Sequence, residues 1–258
     1  EEINNTDIIH IHGFYRFPQS FAAFYARKIN KPYIISPHGS LNPEVFNKRD
    51  NIFSRRLYQQ FIEKRNIKYS SLVHFTASKE KLNANFIVSP EKGVIIPNGI
   101  NVENYKNLPN KGFFNEKYGI APNLFKILFL GRISEVKGLD ILVKSIANLV
   151  KSIPDVLLLV VGPDYENYKQ KLIIMLKKLD IEDKVIFLGS LKRNMINHAY
   201  VDSDLFILPS YSENFGLTII ESLACGCPII ISKYVNISNI IERNGLGEVI
   251  DTNHKEIT

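Results

Sequence analysis

The sequence has only two cysteines, Cys225 and Cys227. They sit one residue apart, where a strain-free disulfide is unfavourable, so a disulfide-stapled scaffold is excluded and both read as small buried thiols. No run of roughly 18 or more apolar residues is present that would span a bilayer. The opening residues Glu1-Glu2-Ile3-Asn4-Asn5 lack the basic start of a signal peptide, and a cytoplasmic context is expected. No strand–Gly-x-Gly-x-x-Gly–helix unit marks a nicotinamide-binding dehydrogenase. No zinc spacing or aromatic RNA-binding pattern marks a nucleic-acid binder, and internal repeats and low-complexity tracts are also missing.

What is present is a chain of 258 residues, 45% hydrophobic and 22% charged, a composition that excludes wholesale disorder, collagen-like repeats and coiled coil. At ~150 residues per domain the length allows one to two domains. The net charge of +6 is not spread evenly. Residues 101–258 carry 18 basic and 18 acidic side chains, so the whole excess lies in residues 1–100. Residues 48–81 alone hold Lys48, Arg49, Arg55, Arg56, Lys64, Arg65, Lys68, Lys79 and Lys81 against Asp50, Glu63 and Glu80. Within this segment Phe53, Leu57 and Phe61 share one helical face, flanked by Tyr58 and Ile62, with polar residues opposite. The pattern leaves two readings open, a core-packing helix with a solvated basic face or a functional basic surface.

Short β-branched apolar runs alternate with stretches of helical period, the pattern of parallel strands joined by crossover helices. The expected strands are 8–12, 33–36, 72–76 and 94–96, then 126–131, 156–162, 185–188, 205–208, 228–231 and 248–250. Unbroken runs such as Val156-Leu157-Leu158-Leu159-Val160-Val161 fit strands covered by helices on both faces. Both series look like doubly wound α/β domains. Turn formers from Pro97-Asn98-Gly99 through Pro122 mark the boundary, giving domains 1–100 and 123–258 with a linker over 101–122. The first domain has few strands, and Asn253-His254-Lys255-Glu256 reads as the start of a helix. The expectation is a chain truncated at both ends.

Two segments carry chemistry. From Ser210 to Gly226, a polar loop follows a strand and a helix begins near Gly216. Glu213 lies in the loop and Glu221 about one turn into the helix, so both carboxylates can accept hydrogen bonds from sugar or ribose hydroxyls. The free N–H groups around Asn214, Phe215, Gly216 and Leu217, with the helix dipole, suit a phosphate. In the second segment, Gly131-Arg132-Ile133-Ser134-Glu135-Val136-Lys137-Gly138, two cations bracket the loop at a strand's carboxyl end, where α/β sheets bind ligands. Arg132 or Lys137 alone reads as a surface cation beside a glycine turn. Together with the paired glutamates they suit a diphosphate held without metal.

These residues resemble the retaining nucleotide-sugar glycosyltransferases of family 4, which have the GT-B architecture of two Rossmann-like domains facing across a cleft. Ser36-Pro37-His38-Gly39-Ser40-Leu41 is similar to the family's N-domain histidine loop. Val94-Ile95-Ile96-Pro97-Asn98-Gly99-Ile100 is similar to its interdomain segment, in which Asn98 and Gly99 read as hinge structure. Gly131-Arg132 with Lys137-Gly138 resembles its diphosphate clamp, and Glu213 to Glu221, with seven residues between, its paired-glutamate signature. The resemblance runs from Asp7 onward; a complete member has further strands before that position and continues past Thr258.

The resemblance implies transfer of a hexose-type sugar from a nucleoside diphosphate sugar to an acceptor hydroxyl, with retention of configuration. The acceptor would be a glycan or lipid-linked saccharide of a cell-surface polysaccharide such as lipopolysaccharide. It implies catalytic roles for Arg132, Lys137, Glu213 and His38. It implies donor binding by Gly131, Arg132, Lys137, Gly189, Leu191, Glu213, Asn214, Phe215, Gly216, Leu217 and Glu221, with backbone near Gly189 to Leu191 facing the base. It implies no metal and no cofactor beyond the donor, and no nucleic-acid partner. Peripheral attachment to an anionic membrane face is expected through residues 48–81. His10 and His12, at a strand end, are assigned nothing beyond lining a cleft. The alternatives are a non-catalytic nucleotide-sugar-binding fragment and a sugar epimerase or phosphorylase of the same architecture.

Overall fold

The computed structural model describes residues 5–42 and 56–253, and the chain divides into two compact units, Glu1–Asn98 and Gly99–Thr258. The first unit holds four parallel strands, β1 (Ile9–His12), β2 (Tyr33–Ser36), β3 (Leu72–Phe75) and β4 (Gly93–Ile95), in the order β1-β2-β3-β4. Three described helices accompany them, α1 (Phe17–Lys28), α2 (Lys64–Tyr69) and α3 (Ser78–Asn83). Side chains alternate across a pleated strand, so Ile11, Ile35, Val73 and Phe75 turn to one side. There they form a core with Ala23 and Ala26 of α1 and Ile67 of α2. The small alanines let α1 lie close against the sheet.

The helical stripe read from residues 53–61 is not the buried one. Phe53 and the cations Lys48, Arg49 and Arg55 lie outside the described residues. Leu57 and Phe61 are exposed, at 44% and 71%. A π-helical turn, Gln59–Glu63, leads into α2, and a turn of that kind changes the phase of the helix and the face it presents. Beside Ile67, the inward residues are polar, Glu63 and Asn66 being only 2% and 1% exposed. Glu63 Oε1 accepts from the Tyr15 amide and the Ser20 hydroxyl, both at 3.0 Å, and its Oε2 accepts from Asn66 Nδ2 at 2.8 Å. Arg27 donates to Asn66 Oδ1 at 2.7 Å. Burial pushes the Glu63 carboxyl up, opposed by these donors and by Arg27.

The second unit has six parallel strands: β5 (Phe125–Leu130), β6 (Val156–Val161), β7 (Val185–Gly189), β8 (Leu205–Leu208), β9 (Ile229–Ser232) and β10 (Glu248–Ile250), ordered β10-β9-β8-β5-β6-β7. Six described helices accompany them: α4 (Phe113–Tyr118), α5 (Leu139–Leu149), α6 (Tyr168–Leu179), α7 (Arg193–Val201), α8 (Leu217–Ala224) and α9 (Ser238–Arg243). Counted within the unit this is the 3-2-1-4-5-6 order of doubly wound sheets, whose direction of winding reverses between β5 and β8. Every residue of β6 is buried, the reason for its unbroken apolar sequence. The ten strands lie within two residues of the expected positions. The segment expected at 254–256 to open a helix falls outside the described residues.

Residues 101–122, read as a linker from their turn formers, belong to the second unit and contain α4, with Phe114 fully buried. The distant Asp202 holds this helix. Its carboxylate, 1% exposed, accepts from the amides of Gly112, Phe114 and Asn115 at 2.5, 2.8 and 3.0 Å, taking up the unpaired N–H groups of the first turn. A cap supplied from 87 or more residues away is invisible to local sequence patterns. Asp202→Ala is expected to cost about 2 kcal/mol, read as a lowered midpoint of denaturant unfolding.

Candidate functional site

In the second unit the loops leaving β5 and β8 are forced together by backbone contact. Gly138 has φ +70°, and a Cβ built there would lie 2.0 Å from the Pro209 carbonyl oxygen. On the other side of β5 the end of β6 is packed as closely, since a Cβ at Gly162, φ +141°, would lie 1.8 Å from the Gly131 oxygen. Only glycine permits both approaches. The contact is bolted by Tyr211, whose amide donates to the Val136 carbonyl at 2.9 Å and whose hydroxyl donates to Asp140 Oδ2 at 3.0 Å. Burial and the neighbouring Asp140 push the Tyr211 hydroxyl up to about 12, so it stays protonated and keeps donating.

This junction brings Lys137 and Glu213 into an ion pair with both side chains mostly buried, at 13% and 16% exposure. The backbone of Glu213 is fixed from the other side. Its amide donates to the Tyr234 carbonyl at 3.3 Å, and its carbonyl accepts from the Asn236 amide at 3.0 Å. Asn236 Nδ2 also donates to Asn214 Oδ1 at 3.2 Å. Phe215 is buried, and Gly216 in left-handed conformation starts α8, with Leu217 exposed in its first turn. Arg132 projects from the end of β5 with its guanidinium 5.2 Å from the Tyr165 ring centroid. Gly131, Gly162 and Gly189 stand in a row at the carboxyl ends of β5, β6 and β7, linked by Gly131 N to Val161 O at 2.9 Å and Gly162 N to Gly189 O at 2.8 Å. Leu191 follows two residues on. The buried hydroxyls of Ser134 and Ser210, in the same two loops, have no hydrogen-bond partner among the described residues.

Glu221 occupies a different setting. It lines a hollow of about 380 Å³ with Asn104, Tyr105, Arg193, Asn194, Ile196 and Asn197. Burial pushes its carboxyl up, against the pull of the Tyr200 hydroxyl, 3.4 Å away, and the charge of Arg193. The structure thus joins Lys137 and Glu213 at the β5/β8 junction, places Arg132 at the end of β5 over Tyr165, and sets Glu221 among residues that the sequence reading did not include. Tyr105, Arg193, Tyr211 and Asn236 carry no motif of their own and are found only through the fold.

In the first unit, His38 lies in the Pro37-His38-Gly39 turn in left-handed conformation, φ +51°. Buried Glu80 fixes that turn: Oε1 accepts from the Gly39 amide at 2.7 Å, and Oε2 from the Thr76 amide and hydroxyl at 2.8 and 2.9 Å. Among the described residues no group of three or more His, Cys, Asp or Glu is placed to hold a metal ion, and no helix is long and apolar enough to cross a membrane.

Comparison with known proteins identifies the class. Residues 110–258 match the family described as Glycosyl transferases group 1, and residues 2–104 match Glycosyltransferase Family 4. The chain belongs to the glycosyl transferases group 1 family. It is 27% identical over 169 residues to a D-inositol 3-phosphate glycosyltransferase of Segniliparus rotundus, covering 65% of this chain and 37% of that one. Its fold is similar to HepE of Anabaena in complex with UDP and glucose, with TM-score 0.83, 22% identity and coverage of 99% of this chain and 67% of that one. It is also similar to sucrose-phosphate synthase of Thermosynechococcus elongatus, with TM-score 0.79, 21% identity and coverage of 95% and 61%. Both units share the GT-B fold of these glycosyltransferases. The chain therefore spans little more than a third of the curated relative and about two thirds of the solved structures.

Removing one partner of a buried ion pair strands the other charge. Lys137→Met is expected to lower stability by about 3 kcal/mol. The Lys137→Met, Glu213→Leu double variant should lose less than the sum of the single losses in a double-mutant unfolding cycle.

Proposed function

We propose that this chain is the donor-binding part and a portion of the acceptor part of a retaining glycosyltransferase that uses a nucleoside diphosphate sugar. The observation that carries the reading is the Lys137–Glu213 pair where β5 and β8 diverge, in the loop that opens with Arg132 at the end of β5. Before donor binds, Glu213 balances the charge of Lys137 and holds it in place. A diphosphate arriving at the crevice takes over Lys137 and Arg132, leaving Glu213 to accept hydrogen bonds from sugar hydroxyls. As the glycosidic bond to phosphate lengthens, negative charge grows on the leaving diphosphate. Preorganised cations in a partly dehydrated site then stabilise it by several kcal/mol, on the order of 3 for each donor. The departing phosphate takes the proton of the acceptor hydroxyl attacking from the same face, so configuration is retained and no separate base is needed. Glu221 binds the ribose, backbone near Gly189 to Leu191 faces the base, and His38 positions the acceptor. The UDP and UDP-glucose in the HepE structures support a nucleotide-sugar donor.

The acceptor in this reading is a lipid-linked saccharide of a cell-surface polysaccharide. Its support is a basic, aromatic surface on the first unit. Phe17, Phe21 and Phe24 are exposed along one stripe of α1. Phe24, Arg27, Lys28, Lys31, Arg65 and Tyr69 line a hollow of about 830 Å³. Anionic lipid attracts such cations by about 1 kcal/mol each. Co-sedimentation with anionic vesicles should exceed that with neutral vesicles and fall as salt is raised; equal binding to both removes the membrane reading.

Titration calorimetry with UDP-sugars and GDP-sugars tests the donor site. Arg132→Ala and Glu221→Ala are expected to weaken binding at least tenfold, whereas Lys151→Ala, at an exposed turn after α5, leaves it unchanged. Equal affinities for all four proteins would refute the assignment. Donor binding without glycosyl transfer or hydrolysis would instead favour a non-catalytic nucleotide-sugar-binding role.

A further inference from the structure

Glu221 has neighbours from two separate stretches of the second unit. From α7 come Tyr200, fully buried, and Arg193, which shares the hollow of about 380 Å³ with Glu221. From the stretch before α4 comes Tyr105, on the wall of the same hollow, whose hydroxyl is hydrogen-bonded to the Glu221 carboxylate. A phenol has a single hydrogen to give. The Tyr200 hydroxyl lies 3.0 Å from the Thr218 carbonyl and 3.4 Å from Glu221 Oε2, so the nearer carbonyl takes the larger share of that hydrogen. The Tyr105 hydroxyl gives its hydrogen to Glu221.

Tyr105 does not reach Glu221 from a loose segment. It ends a 3-10 turn, Val102–Tyr105, that opens with Asn101. Asn101 Oδ1 accepts from the Glu103 amide and the Asn101 carbonyl from the Asn104 amide, both at 3.1 Å. The turn is fastened to α7 by Asn197, whose Nδ2 donates to the Asn104 carbonyl at 2.9 Å. Arg193 supplies no such constraint. It is exposed, and an exposed guanidinium can meet a carboxylate in more than one geometry. A hydroxyl carried on a fastened turn allows few.

We propose that Tyr105 is a positioning residue for Glu221, its hydroxyl fixing the carboxylate so that the remaining lone pairs face the vicinal hydroxyls of a ribose. This rests on the ribose role given to Glu221 above. An ionised carboxylate has about four lone-pair sites. Tyr105 takes one and Tyr200 a share of another, which leaves sites for two ribose hydroxyls. The titratable and charged groups facing Glu221 are Tyr200 and Arg193 from α7, Tyr105 from its turn and Cys225 just past the end of α8. Burial pushes the Glu221 carboxyl up, and the Tyr200 hydroxyl, the Arg193 charge and the Tyr105 hydroxyl draw it back down. Removing the Tyr105 donor therefore moves the Glu221 titration up, and the ionised form that accepts from both hydroxyls is lost at a higher pH.

The test uses the full chain, with titration calorimetry of UDP, GDP and their 2′-deoxy forms beside carbon-13 NMR of labelled glutamate, the Glu221 resonance being assigned by its loss in Glu221→Gln. The ribose form of the better-bound nucleotide should bind about tenfold more tightly than its deoxy form. In Tyr105→Phe, which keeps the ring, that ratio should fall to about threefold and the Glu221 carboxyl should titrate at higher pH. A ring that merely packs would leave both readings unchanged. Tyr105→Leu carries the test if the Phe variant does not fold. An unmoved Glu221 titration overturns the positioning role, whatever the ratio. A moved titration with an unchanged ratio overturns its bearing on ribose. Nucleotide affinity that Glu221→Ala leaves unchanged, or a wild-type chain that does not distinguish ribose from deoxyribose, overturns the ribose role of Glu221 itself, independently of Tyr105.

Discussion

Backbone touches backbone where β5 and β8 part, and the chemistry of the second unit depends on that contact. A parallel sheet leaves a crevice where its winding reverses, but a crevice alone does not set side chains to within hydrogen-bonding reach. Gly138 against Pro209 removes the space that a side chain would otherwise occupy between the loops after β5 and β8, and Gly162 against Gly131 does the same between the ends of β6 and β5. The two loops are then near enough for Tyr211 to reach both Val136 and Asp140, and for Lys137 to meet Glu213. An ion pair this sheltered gives up hydration on both sides and contributes little net stability. In the proposed reading a ligand replaces one of the partners, which gives the pair a role that net stability does not.

The strands were legible because burial on both faces writes itself into sequence as unbroken β-branched and leucine runs, as in Val156 to Val161. The loops carrying Arg132, Lys137 and Glu213 were legible because glycines and charges cluster where strands end. The helix through Phe61 was not. Amphipathic reading assumes that the apolar face goes inward, whereas Glu63 and Asn66 are buried in a network with Ser20, Arg27 and the Tyr15 amide. Buried polar groups are tolerated when every partner is supplied, and those partners come from residues 33 or more positions away or from across a turn. The same limit hid Asp202 beneath α4, and Tyr105 and Arg193 around Glu221. In each case the determining partner is close in space and far in sequence, and a single sequence has no period that reports it.

In the proposed reading the two units meet their ligands through different chemistry. The second unit, with equal numbers of acidic and basic residues over 101–258, concentrates cations at one junction and balances them with Glu213. That arrangement is suited to an anion whose charge grows during reaction, because fixed charge is most effective where charge develops. The first unit carries the entire net charge, yet burial above all pushes the His10 and His38 imidazoles below the ordinary histidine value, and Glu80 is committed to the backbone of the turn. Of the described cations of that unit, Arg27, Lys28, Lys31 and Arg65 line one surface hollow together with exposed Phe24. In the proposed reading, charge for the donor and a basic aromatic surface for an anionic lipid fall on separate units of the chain, so each can be removed by substitution without abolishing the other.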